Sequence, residues 1–341
     1  MIRKTRLRTW LLLTGAVACA VAATTAWTIP STPAVAAASH RTAARVSSGQ
    51  DWCQPLKVYL PKPGFQPLRA SDSDLRANGF PARPPASQPG ALADWKAVVE
   101  HARNFLPPHP VCGTTTRSTL YSARWAGHMV PKGNYQNSDI VKTQAQWTQP
   151  SVPGNPNYTD FNNAPDASFW DGIGAFHDIL QAGCDSIATK TPDYKCWTED
   201  YPGHFIWEGP PVAPGDLMFT SVEYLGGNVT HYYLENETTG QAVSFDNATP
   251  NIELDTADFI NERVNFPNNG YYLPDYGGTY MSRNTFWQAN NTVHELTTDN
   301  DLVIMTSNCQ SNGTVLSDPS GVSSGGFFLT WEHGSPYTNS C

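Results

Sequence analysis

From Ser118 onward the chain is cut by turn residues into short apolar or alternating runs, and that texture limits its fold more than any other feature. The runs are LYSARWAGHMV, IVKTQAQWTQ, SFWDGIGAF, DLMFTSVEYL, HYYLENETTGQAVSF, DLVIMTSN and GFFLTWEH. Successive side chains of an extended strand point to opposite faces, so runs of this kind can bury one face. Strands of this length at this spacing predict an all-β fold, an antiparallel β-sandwich. In HYYLENETTGQAVSF the polar ENETTGQ reads as a hairpin loop. Heptads and fixed-period repeats are absent and only 15% of residues are charged, which excludes an all-α fold.

The N-terminal third has a different texture. Residues 1–38 pass from a basic start (Arg3, Lys4, Arg6, Arg8) through an apolar stretch, Trp10 to about Ala23, to Ala36-Ala37-Ala38. This is the pattern of a secretory signal. The apolar stretch is short of the roughly 20 residues that span a bilayer, so the mature protein is expected to be secreted, extracellular and free of the membrane. Residues 39–115 are rich in Pro, Ala and Arg (LPKPGFQPLRA, GFPARPPASQPG, FLPPHP), and only Ala91 to Phe105 has helical spacing. Prolines remove the backbone donors that sheet pairing needs. This segment therefore reads as a Pro-rich, partly helical extension or prosegment ahead of a sandwich domain at 116–341.

Removing residues 1–38 makes the formal charge of −9 more negative by four units. Such a surface repels nucleic acid and anionic lipid. Beyond Cys19 in the signal, six cysteines remain: Cys53, Cys112, Cys184, Cys196, Cys309 and Cys341. An even number in an oxidising destination reads as disulfides. Cys184 and Cys196 flank the turn-rich DSIATKTPDYK and predict a bridge across one hairpin, while Cys53–Cys112 and Cys309–Cys341 follow from proximity in sequence. With no C-x-x-C and the nine histidines scattered, no metal and no cofactor is expected.

Several catalytic patterns can be weighed. Gly321-Val322-Ser323-Ser324-Gly325 matches G-x-S-x-G, but a nucleophile elbow needs a strand before and a helix after, and here a polar loop precedes a strand-like FFLTW. D-[TS]-G, H-E-x-x-H and a P-loop are absent. Glu253 and Asp255 would share a face of an extended segment, and two close carboxylates are what a retaining glycosidase requires.

An ordered series carries more information: Arg124-Trp125-Ala126-Gly127, Gln146-Trp147-Thr148-Gln149-Pro150, Trp170-Asp171-Gly172-Ile173-Gly174, Ile179-Leu180-Gln181-Ala182-Gly183, Trp197-Thr198-Glu199-Asp200-Tyr201-Pro202, Leu234 to Gln241, and Ala257-Asp258-Phe259-Ile260-Asn261-Glu262. In this order and spacing the chain resembles the glutamic peptidases (eqolisins). The resemblance implies a concanavalin-like sandwich (a lectin-like jelly roll) and a secreted endopeptidase acting on polypeptides at acid pH, and we expect a monomer. It also implies Gln181 and Glu262 as the catalytic pair: Glu262 takes a proton from water, and the Gln181 amide donates to the developing oxyanion. Trp170, Trp197, Glu199 and Tyr201 then correspond to substrate-binding or supporting positions. Three departures stand out: Gly174 replaces the family's supporting aspartate, Asp258 stands where a glutamate is usual, and Arg263 follows Glu262. Two other readings remain open on sequence alone, a non-catalytic carbohydrate- or cell-wall-binding sandwich and a glycoside hydrolase using Glu253 and Asp255.

Overall fold

The computed structural model describes residues 57–334 except 63, 103, 106–110, 114–123, 176, 177, 208, 250, 251, 265–271, 299 and 309–312. The expected signal at 1–38 lies outside the described residues, as do Cys53, Cys309 and Cys341, and with them two of the expected disulfides.

Two sheets form the body of the molecule. The larger has eleven strands, in the order 57–58, 241–248, 229–236, 217–226, 140–148, 278–288, 327–331, 315–319 and 305–306. Strand 293–295 pairs with 278–288, and 104–105 adds parallel to 241–248. Five strands of the smaller, eight-stranded sheet matter below: β1 (Trp125–Pro131), β2 (Asp166–Ala175), β3 (Asp178–Ile187), β4 (Asp193–Tyr201) and β5 (Thr256–Arg263). Its order is 301–303, β1, β5, β2, β3, β4, 204–207, 111–113. The expected antiparallel sandwich is therefore present.

Alternation explains the core. Phe169, Leu180, Cys184 and Phe259 on one face of the smaller sheet join Trp147, Met218, Tyr232 and Phe245 of the larger sheet in a single buried cluster. On β3 and β4, Cys184 and Cys196 are direct cross-strand partners and form the expected disulfide, with Cα atoms 3.9 Å apart.

The Pro-rich segment forms a third layer. Helix α1 (Asp72–Ala77) is capped by the Ser71 hydroxyl, which accepts from the Asp74 N–H and so satisfies one of the first-turn donors that lack helical partners. Helix α2 (Pro89–His101) starts on a proline, which suits the first turn because its missing N–H would be unpaired there anyway. From α2, Val98 packs against Phe219, Tyr233 and Ala242 on the outer face of the larger sheet, and Ala91 meets Trp287 and Val293. Leu75, Phe80, Trp95 and Val99 make a cluster of their own. Strands 57–58, 104–105 and 111–113 also enter the sheets, so sheet pairing begins within the Pro-rich extension.

Candidate active site

The face of the smaller sheet turned away from the main core carries the residues picked out from the sequence. Directly paired residues of antiparallel strands share a face, so the register arranges this face in rows. The first row holds Pro131, Thr256, Gly174, Ile179 and Tyr201. The second holds Met129, Asp258, Gly172, Gln181 and Glu199. Gly127, Ile260, Trp170, Gly183 and Trp197 make the third, and Trp125, Glu262, Ser168, Asp185 and Lys195 the fourth.

Gln181 and Glu262 share this face but not a row. Four residues along the strands and two strands across separate them, which amounts to roughly 16 Å between Cα atoms at ordinary sheet spacings. The row between them is filled by Trp170 and Trp197, both fully buried. Gly183 makes that possible, since a Cβ there would stand 2.5 Å from the Trp170 Cβ. Glu262 is held by the Trp170 indole, whose Nε1 donates to Oε2 at 3.1 Å. The Trp197 indole donates to Asp185 at 2.6 Å and to Ser168 at 3.2 Å. The two indoles expected as substrate walls thus lie beneath the surface, and half-buried Tyr201 packs on their cluster with Trp125, Met129, Ile179 and Ile260.

Two carboxyls share the row of Gln181: Glu199, its direct neighbour on β4, and on the other side Asp258, noted from the sequence only as a departure. Asp258 and Gln181 are separated by one strand, at Gly172. A Cβ on Gly172 would meet the Leu180 carbonyl oxygen at 2.8 Å and the Gln181 Cβ at 3.1 Å, so glycine is the residue that fits at the position between them. Gln181 Nε2 donates to Glu199 Oε2 at 2.7 Å. That bond fixes which end of the amide is nitrogen and leaves its second N–H to donate elsewhere. Asp258 is 1% exposed, and its Oδ1 takes no hydrogen bond among the described residues. Burial pushes its carboxyl up to about 7, and its Oδ2 lies 3.0 Å from the Thr256 hydroxyl oxygen. Parity along β5 allows 258 and 262 equally; only the pairing of β5 with β2 distinguishes them.

The remaining candidates fall elsewhere. Arg263 is buried on the opposite face from Glu262, as strand alternation requires. Asp171 also points into the core, accepts from the Thr220 hydroxyl, and is raised to about 7 by burial. Gly174 cannot be exchanged for the aspartate usual in the family without moving backbone, because a Cβ there would lie 2.2 Å from the Asp178 carbonyl oxygen. Glu253 and Asp255 sit in the loop before β5 and not on a strand. Asp255 pairs with Lys132 at 2.5 Å, and the Glu253 N–H donates to Asp178. They form no facing pair of carboxylates on a sheet. Ser323 lies in a turn closed by its bridge to Gly326.

Residues 123–331 match the model of the peptidase A4 family. Two crystal structures of scytalido-glutamic peptidase, one with a peptide-based transition state analog and one with a transition state analog inhibitor, are similar to this chain at 21% identity. Their TM-scores are 0.50 and 0.51, over 62% of this chain and 100% of theirs. SCP-B, an eqolisin solved with the tripeptide Ala-Ile-His, has a TM-score of 0.49 at 19% identity, again over 62% of this chain and 100% of that one. At these identities the structural likeness is one of fold. No curated protein matches the sequence.

Proposed function

The chain belongs to the peptidase A4 family and is a peptide hydrolase acting on polypeptides, and from that premise we propose that it is an exported, acid-acting endopeptidase whose reacting groups are Gln181 and Asp258. The observation that carries this reading is the shared row: an amide fixed by Glu199 and a buried carboxyl with one free oxygen, facing each other across Gly172.

The chemistry starts from the neutral acid. Asp258 gives its proton to the scissile carbonyl oxygen as water adds to the carbon, while the free Gln181 N–H donates to that same oxygen. The carboxylate so formed takes the proton shed by the attacking water, leaving a neutral tetrahedral diol and Asp258 again an acid. In the second half Asp258 protonates the leaving nitrogen, the C–N bond breaks, and the carboxylate recovers the proton of one hydroxyl as the new carboxylic acid forms. Glu262, tied to Trp170, braces the indole row beside this site. Residues 1–38 serve export.

Denatured casein assayed from about pH 2 to 7 tests the reading. The expected result is cleavage in the acid range that falls off as pH approaches about 7, where Asp258 ionises, and that Gln181→Ala reduces about 100- to 1000-fold, the scale of a lost oxyanion donor. Full activity in Gln181→Ala would overturn it.

A further inference from the structure

Thr256 stands one step along β5 from Asp258, on the same face, and its single hydroxyl proton has two claimants. Oγ1 lies 2.8 Å from the Gly174 carbonyl oxygen and 3.0 Å from Asp258 Oδ2. A carbonyl oxygen can only accept, so if Oγ1 and the Gly174 oxygen are bonded, the proton must come from Thr256. A hydroxyl has one proton and two lone pairs. With that proton on Gly174, the contact to Asp258 is a hydrogen bond only if Asp258 Oδ2 carries a proton and donates it.

The alternative turns the Thr256 proton toward an ionised Asp258. Two oxygens bearing only lone pairs would then face each other at 2.8 Å. The neutral acid satisfies both contacts in one chain, Asp258 to Thr256 to Gly174; the carboxylate satisfies one and sets the other in repulsion. We propose that Thr256 is a positioning residue whose hydroxyl, committed to the Gly174 carbonyl, holds Asp258 in its neutral, proton-carrying form.

The surroundings agree with that assignment. Across β1 the row continues to Met129 and then to exposed Asp301 on strand 301–303; across β2 it continues through Gly172 to Gln181 and Glu199. Along β5 the next titratable group on the face is Glu262, beyond Ile260, with Lys195 at the far end of that row, paired with Asp193. Near the Thr256 end Lys132 is engaged by Asp139 and Asp255. Among the described residues no cation lies in Asp258's own row to favour its charged form. Burial, a cause separate from Thr256, itself pushes the Asp258 carboxyl up to about 7.

The proposal rests on Asp258 being the reacting acid, but its test does not depend on turnover. Carbon-13 NMR of the Asp258 carboxyl is recorded against pH in the wild type, Thr256→Val and Thr256→Ser. Thr256→Val removes an acceptor for the neutral acid, so the Asp258 midpoint is expected to move to lower pH, and the descending limb of the casein pH profile to move with it; Thr256→Ser restores both. An unchanged midpoint, or one that rises in Thr256→Val because a donor to the carboxylate has gone, overturns the role given to Thr256. An inactive-site outcome is separate: if the NMR midpoint shifts as stated while the pH profile stays fixed, the Thr256 chain stands and Asp258 is not the reacting acid.

Discussion

At the scale of single residues the site is an argument about which side chains are absent. Gly172 puts no side chain between Gln181 and Asp258 in their row, and Gly183 leaves room for Trp170. Gly174 replaces the aspartate of the family pattern, and the structure gives the reason: the backbone of Asp178 and Ile179 occupies the space. Gly174→Asp is therefore expected to lower stability by about 1–3 kcal/mol, the cost of overpacking, and to bring no gain in casein cleavage; chemical denaturation with a parallel assay checks both. The sequence made Gln181, Glu199 and Trp170 legible because each stands in a recognisable run. It named Glu262 as the partner of Gln181, although position 258 lies on the same strand face. Two-residue periodicity cannot distinguish them. What does is the register of β5 on β2, a contact between segments about 90 residues apart that no local pattern encodes.

At the scale of elements, the strands, the α2 helix and the Cys184–Cys196 bridge were readable in the sequence, since each follows from local periodicity or from two cysteines flanking one turn. The placement of the Pro-rich segment was not. Its prolines argue against continuous sheet, yet the short pieces between them pair at the sheet edges and α2 covers the larger sheet's outer face. Trp95→Ala should cost about 3–5 kcal/mol, read by urea unfolding, because the indole fills the cluster with Leu75, Phe80 and Val99 and donates to the Pro81 carbonyl at 2.9 Å. Deleting residues 57–105 should likewise yield no soluble folded protein, since it strips the apolar cover from Phe219, Tyr233 and Trp287. A folded, active product from that deletion would show the layer to be dispensable. Replacing both Cys184 and Cys196 with alanine should cost about 2–4 kcal/mol, seen as a lower Tm that reductant no longer changes.

At the scale of the whole molecule, buried acids set the response to pH. Asp171, Asp200 and Asp258 are each raised from 3.8 to about 7, in every case chiefly by burial. A carboxyl whose folded value is raised binds its proton more tightly when folded, so stability is greatest at low pH and declines as pH rises between about 4 and 7. Glu223 opposes the trend: although burial pushes it up, Lys142, His231 and Arg76 hold it below its ordinary value, so its contribution fades in acid. With Asp94 and Glu235 also raised by burial, five raised carboxyls stand against this one, and thermal melts should give a higher Tm at about pH 4 than at about pH 7. The same bias favours the protonated Asp258 that the proposed acid-range mechanism uses. The most direct test of the pair is kcat for casein cleavage in Asp258→Asn beside Glu262→Gln, in proteins shown by circular dichroism to be folded. Asp258→Asn should lose at least about 100-fold while Glu262→Gln retains most of the wild-type rate; the reverse order would contradict the pairing of Gln181 with Asp258.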